Sequence, residues 1–247
     1  VNIKINNFGL RDNFIPKPKE SNESRILFAG SSITLGWGVE YDSIFTTKLE
    51  HKLNENSYGK KYEVINSGIG NYNTQMEVIY TKSILKEVDP DLVILHFFLN
   101  DIEILSNNND NFILKHSYLA AQLYLKYRQS KYASEGEFKN LGEYYLSMYE
   151  TDHIGKSNAQ NAIIELNNLC KSNDINFLIL IQPDLNDLSY NSGQFKCHMI
   201  IRKFLEQNNI SYLDLFDDFS KAAINNVQDI WVSHNDSHPN SKGHEII

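Results

Sequence analysis

Apolar and amphipathic segments alternate along the chain. Short continuous apolar runs are typical of strands buried inside a sheet, and apolar residues that recur every three or four positions are typical of helices covering one. Alternation of the two implies parallel strands joined by helical crossovers. We therefore predict an α/β fold, a three-layer α/β/α sandwich around a central, mostly parallel five-stranded sheet. The predicted strands are Arg25–Ala29, Tyr62–Ile65, Asp91–Phe98, Asn176–Ile181 and Ile210–Leu213, and the predicted helices are Ser43–Asn56, Thr74–Glu87, Ala159–Ser172 and Phe195–Gln207.

The alternation breaks between residues 102 and 157, a region rich first in Asn and then in Tyr. Within it Leu119, Leu123 and Tyr127 would share one helical face. We predict a single domain over residues 1–247, with an N-terminal arm over 1–24 and a helical, Tyr-rich insertion over 102–157. The tyrosines suit half-buried positions that cap a core; the other interpretation is a lid or substrate platform that borders a site.

Composition and charge narrow the classes of function. The formal net charge of -8 at pH 7 and the pI of about 5.5 argue against a nucleic-acid partner, because phosphates call for clustered Lys and Arg. The two cysteines, Cys170 and Cys197, show neither disulfide nor metal-ligand spacing. No apolar run reaches the roughly 18 residues that are typical of a membrane span. The start at Val1 rather than Met suggests a processed or excised piece whose targeting signal could have been lost, which leaves the compartment open.

Four short polar segments carry the candidate chemistry. Because the carboxyl ends of parallel strands form the ligand-binding edge of an open α/β sheet, segments that follow these strands are expected to meet there. Together they offer a hydroxyl, an imidazole, a carboxylate and amide donors, which are the groups that acyl transfer through a serine requires. The segments are Gly30–Gly36, Asn66–Asn71, Leu99–Asp101 and Asp236–Asn240.

In their order and positions, these four segments resemble the conserved blocks of the SGNH (GDSL-like) hydrolase superfamily, and the match covers most of the chain from Arg25 onward. The upstream segment Ile5–Arg11 resembles a lead-in of bacterial envelope members associated with polysaccharides. The resemblance implies an SGNH or flavodoxin-like sheet. It also implies ester chemistry through an acyl-serine intermediate, with no metal and no organic cofactor. A small acyl group, above all acetyl on a carbohydrate, is the substrate class that it suggests.

Ser32 is the predicted nucleophile, because it ends a strand and precedes a glycine-punctuated turn that leaves its hydroxyl exposed. A helix N-cap is the structural alternative for a serine at this position. Ser31, which stands where the superfamily usually has Asp, is a second candidate hydroxyl.

His238 is the predicted general base, and Asp236 is predicted to orient it by accepting the Nδ1 proton. Many relatives space these two residues by three positions, and Asn235 stands at that position here. The structural alternative for this segment is a helix start with Pro239 in the first turn. His234 is a candidate to line the pocket, whereas no histidine shows convincing metal-ligand spacing.

Three groups are predicted to stabilise the oxyanion. These are the backbone amide of Ser32, the side-chain amide of Asn100, and a backbone amide of the second segment, Asn71 with Gly70 as the fallback. Asn71 stands where the superfamily usually has glycine, and Asn tolerates unusual backbone angles better than most residues. Asp101 is predicted to be structural.

The predicted function is that of a serine esterase acting on a small-molecule or carbohydrate ester. One alternative is an O-acetyltransferase that uses the same triad to pass the acyl group to a sugar hydroxyl. The other is a catalytically silent carbohydrate-binding domain that keeps the fold. The sequence leaves the oligomeric state open.

Overall fold

Five parallel strands form the central sheet of the protein. The computed structural model describes residues 3–55, 57–104 and 140–247. The strands are β1 (Glu23–Gly30), β2 (Lys61–Asn66), β3 (Leu92–Phe98), β4 (Asn176–Gln182) and β5 (Tyr212–Asp214). Their order in the sheet is β2-β1-β3-β4-β5, the flavodoxin-like order, and every neighbouring pair is parallel. The predicted fold class is therefore confirmed.

Helices cover both faces of the sheet. Successive residues of a strand point to opposite sides, so each face presents its own apolar side chains to a different set of helices. The described helices are α1 (Ser32–Leu35), α2 (Phe45–Glu55), α3 (Thr74–Val88), α4 (Leu141–Glu150), α5 (Ile154–Ser172), α6 (Gly193–Gln207), α7 (Phe216–Ala222) and α8 (Gly243–Ile246), with short 3-10 turns at Tyr41–Ser43, Leu99–Ile102 and Val227–Ile230. Leu27 and Val93 pack with α3 and α5 on one face of the sheet, whereas Phe28 and Ile94 pack with α2 and α7 on the other.

The register of the sheet brings the ends of three strands together. Phe28 pairs with Asn66, Gly30 pairs with His96, and Phe98 pairs with Gln182. Because the strands are parallel, the segments that follow them leave the sheet at the same edge. The polar segments that follow β1, β2 and β3 are therefore neighbours.

A β-hairpin near the C-terminus was not predicted from the sequence. β6 (Trp231–Ser233) and β7 (Asp236–Pro239) pair in antiparallel fashion, with Ser233 opposite Asp236. Pro239 thus ends a strand, and the helix α8 begins only at Gly243, so the alternative of a helix start at Pro239 is wrong. Asn240 fixes this arrangement, because its side chain donates to the Trp231 carbonyl (2.8 Å) and accepts from the Gly243 amide (3.2 Å).

Most of the predicted insertion, including Leu119, Leu123 and Tyr127, lies outside the described residues. Its described part contains α4, which packs against α6. Tyr149 of α4 is buried, and its hydroxyl donates to the Leu99 carbonyl at 3.0 Å. This tyrosine caps the core, which is the first of the two interpretations of the tyrosine-rich region. Among the helices in the described ranges, none combines the length and the apolar character needed to cross a membrane.

The N-terminal arm packs against the turn that carries Ser32. Arg11 is almost fully buried, and its guanidinium donates to the carbonyls of Leu35 (3.1 Å), Gly36 (2.6 Å) and Val39 (2.7 Å). The last carbonyls of a helix have no partners within the helix, and α1 is only four residues long. Arg11 supplies the missing donors.

We expect Arg11→Met to lower the free energy of unfolding by about 2–3 kcal/mol, because buried carbonyls would lose a charged donor. Urea denaturation of the wild type and the variant measures this change. Lys52→Met is the matched control, since Lys52 forms an exposed ion pair with Glu245 and such pairs contribute little. A loss for Arg11→Met no larger than that of the control would contradict the assigned role of Arg11.

Candidate active site

The turn after β1 presents the Ser32 hydroxyl. Ser32 is the first residue of α1, and the Leu35 amide donates to the Ser31 carbonyl at 3.0 Å to close the turn. Gly36 then ends α1 in the left-handed conformation, with φ of 78°. A side chain is disfavoured at such an angle, so glycine lets the chain reverse directly behind the serine.

Three side chains that are far apart in sequence form one hydrogen-bonded row. Ser32 Oγ lies 2.9 Å from His238 Nε2, and His238 Nδ1 lies 2.6 Å from Asp236 Oδ1. Since a carboxylate only accepts, we assign the Nδ1 proton to the bond with Asp236. This tautomer leaves Nε2 free to accept the proton of the Ser32 hydroxyl.

The hairpin explains how Asp236 and His238, which are only two residues apart, can form a hydrogen bond between their side chains. Asp236 and His238 both lie on β7, and Asp236 Oδ1 accepts from the His238 backbone amide (3.1 Å) as well as from its ring. The carboxylate thus curls back over one residue to reach the imidazole. Asn235 lies exposed in the hairpin turn. His234 lies in the same turn, contacts Gln228, and lines neither cavity beside Ser32.

Trp37 joins the serine turn to the hairpin, which sequence reasoning missed. Its indole N–H donates to Asp236 Oδ2 at 3.1 Å, so both carboxylate oxygens accept hydrogen bonds. Burial acts to raise the pKa of Asp236, but the bonds from His238 and Trp37 outweigh it and hold the pKa below its ordinary value. The signal available in the sequence was that Trp37 directly follows the last glycine of the serine segment.

The second polar segment packs directly on α1. The Asn66 side-chain amide donates to the Thr34 carbonyl at 2.6 Å, and its oxygen accepts from the Gly68 amide at 2.9 Å. A Cβ on Gly68 would lie 2.2 Å from the backbone nitrogen of Leu35. Only glycine permits so close an approach of the two backbones.

Two cavities flank Ser32. The smaller one, about 120 Å³, is lined by Asn71, Asn100 and their neighbours, and we name it the Asn71 cavity. The larger one, about 190 Å³, lies between His238 and Tyr145, and we name it the Tyr145 cavity. Ser32 and Asn100 line both of them.

Of the two backbone amides predicted as alternatives in the second segment, only one belongs to a residue that lines a cavity. Asn71 lines the Asn71 cavity and has a left-handed backbone, with φ of 64°, as the prediction for an Asn at this position requires. Gly70 lies beside it but is not among the residues that line either cavity. The geometry therefore favours Asn71 over Gly70.

Asn100 is held by the residue that follows it. The Asp101 carboxylate accepts from the Phe98 amide at 2.7 Å, and the Asp101 carbonyl accepts from the Thr74 hydroxyl at 3.2 Å. Asp101 thus fixes the 3-10 turn that presents Asn100 to both cavities.

His96, near the end of β3, is a buried core residue. Its Nδ1 lies 2.9 Å from Thr34 Oγ1, and burial lowers its pKa to about 4, so the neutral imidazole is favoured.

Two carboxyl groups are buried behind Asn100. Both oxygens of Glu77 and Oδ1 of Asp101 are buried and make no hydrogen bond within the described part of the chain. Burial, and for Glu77 also the charge of Asp101, raises the pKa of both groups. The folded protein therefore holds protons here that the unfolded chain releases. Among the described residues, no three His, Cys, Asp or Glu side chains gather to hold a metal ion.

A protein-family model matches the part of the chain that contains the Ser32, His238 and Asp236 row. The model described as "GDSL-like Lipase/Acylhydrolase family" matches residues 28–246. The chain belongs to this family. The predicted resemblance and the prediction of an ester-bond hydrolase are thereby confirmed at the level of this GDSL-like family. Among curated proteins, no significant match to this GDSL-like hydrolase is found.

Solved structures share the fold of this GDSL-like hydrolase at low sequence identity. TesA is 14% identical over 90% of this chain and 92% of its own, with a TM-score of 0.56. A catalytic mutant of Axe2, an acetylxylan esterase from Geobacillus stearothermophilus, is 14% identical over 94% and 92%, with a TM-score of 0.55. A two-domain esterase active on acetylated mannans is 17% identical over 91% of this chain and 46% of its own, with a TM-score of 0.55. These likenesses show the fold.

We expect Gly68→Ala to lower kcat/KM for ester hydrolysis by about 10²-fold, because the added Cβ must displace the backbone of the turn that carries Ser32. Gly70→Ala is the matched control, since a Cβ there meets only Leu35 Cδ2 at 3.6 Å. Steady-state kinetics on p-nitrophenyl acetate measures both. Equal losses in the two variants would contradict the close packing at Gly68.

We expect the free energy of unfolding to fall as pH rises from about 7 to about 8, because the raised pKa of Glu77 and Asp101 lets the folded state keep protons that the unfolded carboxyls have released. Below about pH 6.5 the buried His96 and His244, whose pKa values burial lowers, act in the opposite sense. Each extra proton contributes a slope of about 1.4 kcal/mol per pH unit. Glu77→Gln should show a shallower slope. Urea denaturation from about pH 7 to about pH 8 gives the slopes.

Glu87→Gln is the control for this comparison, because Glu87 lies on the surface beside Lys17 and is ionised in both states over this range. It should keep the slope of the wild type. Identical slopes for Glu77→Gln and the wild type would show that Glu77 is not protonated in the folded state.

Proposed function

We propose that the protein is a serine esterase that removes a small acyl group, above all acetyl, from a carbohydrate ester. The observation that carries this proposal is the row of Asp236, His238 and Ser32, with contacts of 2.6 Å and 2.9 Å, which opens between two cavities. The reaction would pass through an acyl-serine intermediate. Association with bacterial envelope polysaccharide is part of the same proposal and is supported by the Ile5–Arg11 lead-in.

In the first step, Ser32 Oγ attacks the ester carbonyl while His238 Nε2 takes its proton. Asp236 stabilises the imidazolium that forms and holds the ring in place. The carbonyl oxygen becomes negative and needs donors at the position that it then occupies. Ser32, Asn71 and Asn100 line the Asn71 cavity. The donors that we propose are the backbone amides of Ser32 and Asn71 and the side-chain amide of Asn100.

The tetrahedral intermediate then collapses: its bond to the alcohol oxygen breaks, and His238 gives the proton to that oxygen, which completes acylation of Ser32. In the second half of the reaction, water attacks the acyl-serine carbonyl while His238 takes its proton. The bond to Ser32 Oγ then breaks, His238 returns the proton to that oxygen, and the acid leaves. The alcohol must therefore leave on the side of the site where His238 lies, and the acyl group occupies the opposite side.

The size of the Asn71 cavity supports a small acyl group. It is the smaller of the two cavities beside Ser32, with a volume of about 120 Å³ against about 190 Å³, and an acetyl group fits it. The fold is also shared with an acetylxylan esterase and with an esterase active on acetylated mannans, which supports acetylated carbohydrate as the substrate class.

Ser32→Ala should lower the hydrolysis of p-nitrophenyl acetate by about 10⁴-fold or more, because the nucleophile is removed. Ser31→Ala is the matched control and should retain most of the activity. The wild type should also hydrolyse the acetate faster than the octanoate. Continuous assay of p-nitrophenol release measures all four rates.

Equal, near-background rates for the wild type and Ser32→Ala would contradict the esterase proposal and favour one of its two alternatives. Acyl transfer from the acetate to an added sugar acceptor, in excess of hydrolysis, would identify an O-acetyltransferase. Absence of both reactions, together with no labelling of Ser32 by a phosphonate ester, would identify a silent carbohydrate-binding domain.

A further inference from the structure

The Tyr145 cavity has one apolar wall and one polar wall. The apolar wall comes from the end of β3 and from α4, with Phe98, Leu141 and Tyr145. The polar wall comes from the loop after β4 and from β7, with Asp184, Asn186 and Ser237. None of these polar side chains takes part in the proposed acyl transfer.

Asp184 is a buried carboxylate in this wall. The residue is only 3% exposed, and its Oδ1 accepts from the backbone amide (2.9 Å) and the side-chain amide (2.7 Å) of Asn186. The same side-chain amide donates to Ser237 Oγ at 3.0 Å. The loop after β4 is thus fixed to the strand that carries His238, and the carboxylate has a defined position beside the reacting groups.

The charge of Asp184 is only partly compensated. Burial raises its pKa above the ordinary value, and the nearby Asp187 adds to this, while the two Asn186 donors and, more weakly, the nearby His238 act in the opposite direction. A carboxylate has about four acceptor positions, of which the Asn186 bonds at Oδ1 use two. The remaining acceptor positions suit hydroxyl donors, and the ionised carboxylate repels an anion.

The direction of the reaction assigns this cavity to the alcohol half of the ester. The leaving oxygen must take its proton from His238 Nε2. His238 and Ser237 line the Tyr145 cavity and do not line the Asn71 cavity. The group attached to that oxygen therefore extends toward Asp184.

We propose that the Tyr145 cavity is the alcohol subsite and that Asp184, held by Asn186 and Ser237, selects a neutral, hydroxyl-rich alcohol over an anionic one. A sugar ring has this character, since its hydroxyl edge suits Asp184 and its C–H face suits the apolar wall, where Leu141 is exposed. Ser237 Oγ accepts from Asn186 and keeps its own proton to donate to a second hydroxyl. This inference rests on the proposed serine-esterase function.

The test compares two acetyl esters that differ in a single carboxylate. One is a mono-O-acetylated methyl glucoside. The other is methyl glucuronide, here the methyl glycoside of glucuronic acid with its carboxylate free, acetylated at the same hydroxyl. The wild type should prefer the neutral ester. In Asp184→Asn the ratio of kcat/KM for the neutral ester to that for the anionic ester should fall by roughly tenfold or more, the scale of one hydrogen bond to a charged group.

The fall should combine a loss on the glucoside with a gain on the glucuronide, which general damage to the fold does not produce. Asp218→Asn is the matched control, because Asp218 is an exposed carboxylate on α7 that lines neither cavity. It should keep the ratio of the wild type.

An unchanged ratio in Asp184→Asn, together with Ser32-dependent hydrolysis of p-nitrophenyl acetate, would overturn the alcohol subsite and leave the esterase proposal standing. A preference of the wild type for acetylcholine over the acetylated glucoside, lost in Asp184→Asn, would also overturn it in favour of a cationic alcohol. If hydrolysis does not depend on Ser32, the esterase proposal itself fails.

In that event calorimetric titration of methyl glucoside and methyl glucuronide into the wild type and Asp184→Asn decides the subsite. Tighter binding of the glucoside by the wild type, reduced in Asp184→Asn, supports the subsite. Equal binding of both sugars by both proteins overturns it.

Discussion

The helix that carries Ser32 is too short to satisfy its own backbone, and the rest of the site depends on how this is remedied. α1 has four residues, and the amides of Gly36 and Trp37 satisfy the carbonyls of its first two residues only. Asn66 donates to the Thr34 carbonyl, and Arg11 donates to the carbonyls of Leu35 and Gly36. The N-terminal arm and the loop after β2 therefore hold the turn from two sides. The position of the Ser32 hydroxyl is a result of contacts with residues far away in sequence.

The serine turn and the hairpin are joined at two points. The contact between Ser32 and His238 is one, and the bond from Trp37 to Asp236 is the other. The hairpin is itself fixed by Asn240, which bonds to the strand before it and to the helix after it. A carboxylate that accepts from both neighbours stays ionised, so it can stabilise a positive imidazole at the moment when Ser32 loses its proton.

The two cavities give the proposed reaction its direction. The proposed oxyanion donors all line the smaller cavity, and His238 borders only the larger one. In the proposed reaction the alcohol of the ester therefore lies in the larger cavity, on the side of His238. Burial raises the pKa of Glu77 and Asp101, which favours the neutral form of these two carboxyls in the folded protein.

The sequence by itself determined the elements and the edge at which chemistry could occur. Apolar runs and helical spacing are local signals, so the five strands and the helices α2, α3, α5 and α6 could be predicted from them. Parallel strands also force the segments after β1, β2 and β3 to one edge, so the positions of Ser32 and Asn100 at that edge follow from the order of the strands and the residues at their ends. The tertiary structure decided the rest. The hairpin has strands of three and four residues with polar side chains, too short to show a periodic pattern. The contacts of Arg11, Trp37 and Asp184 join residues that only the folded chain brings together. The resemblance had already placed Asn71 before Gly70 among the candidate donors, and the backbone angle of Asn71 and its place in the cavity wall agree with that order.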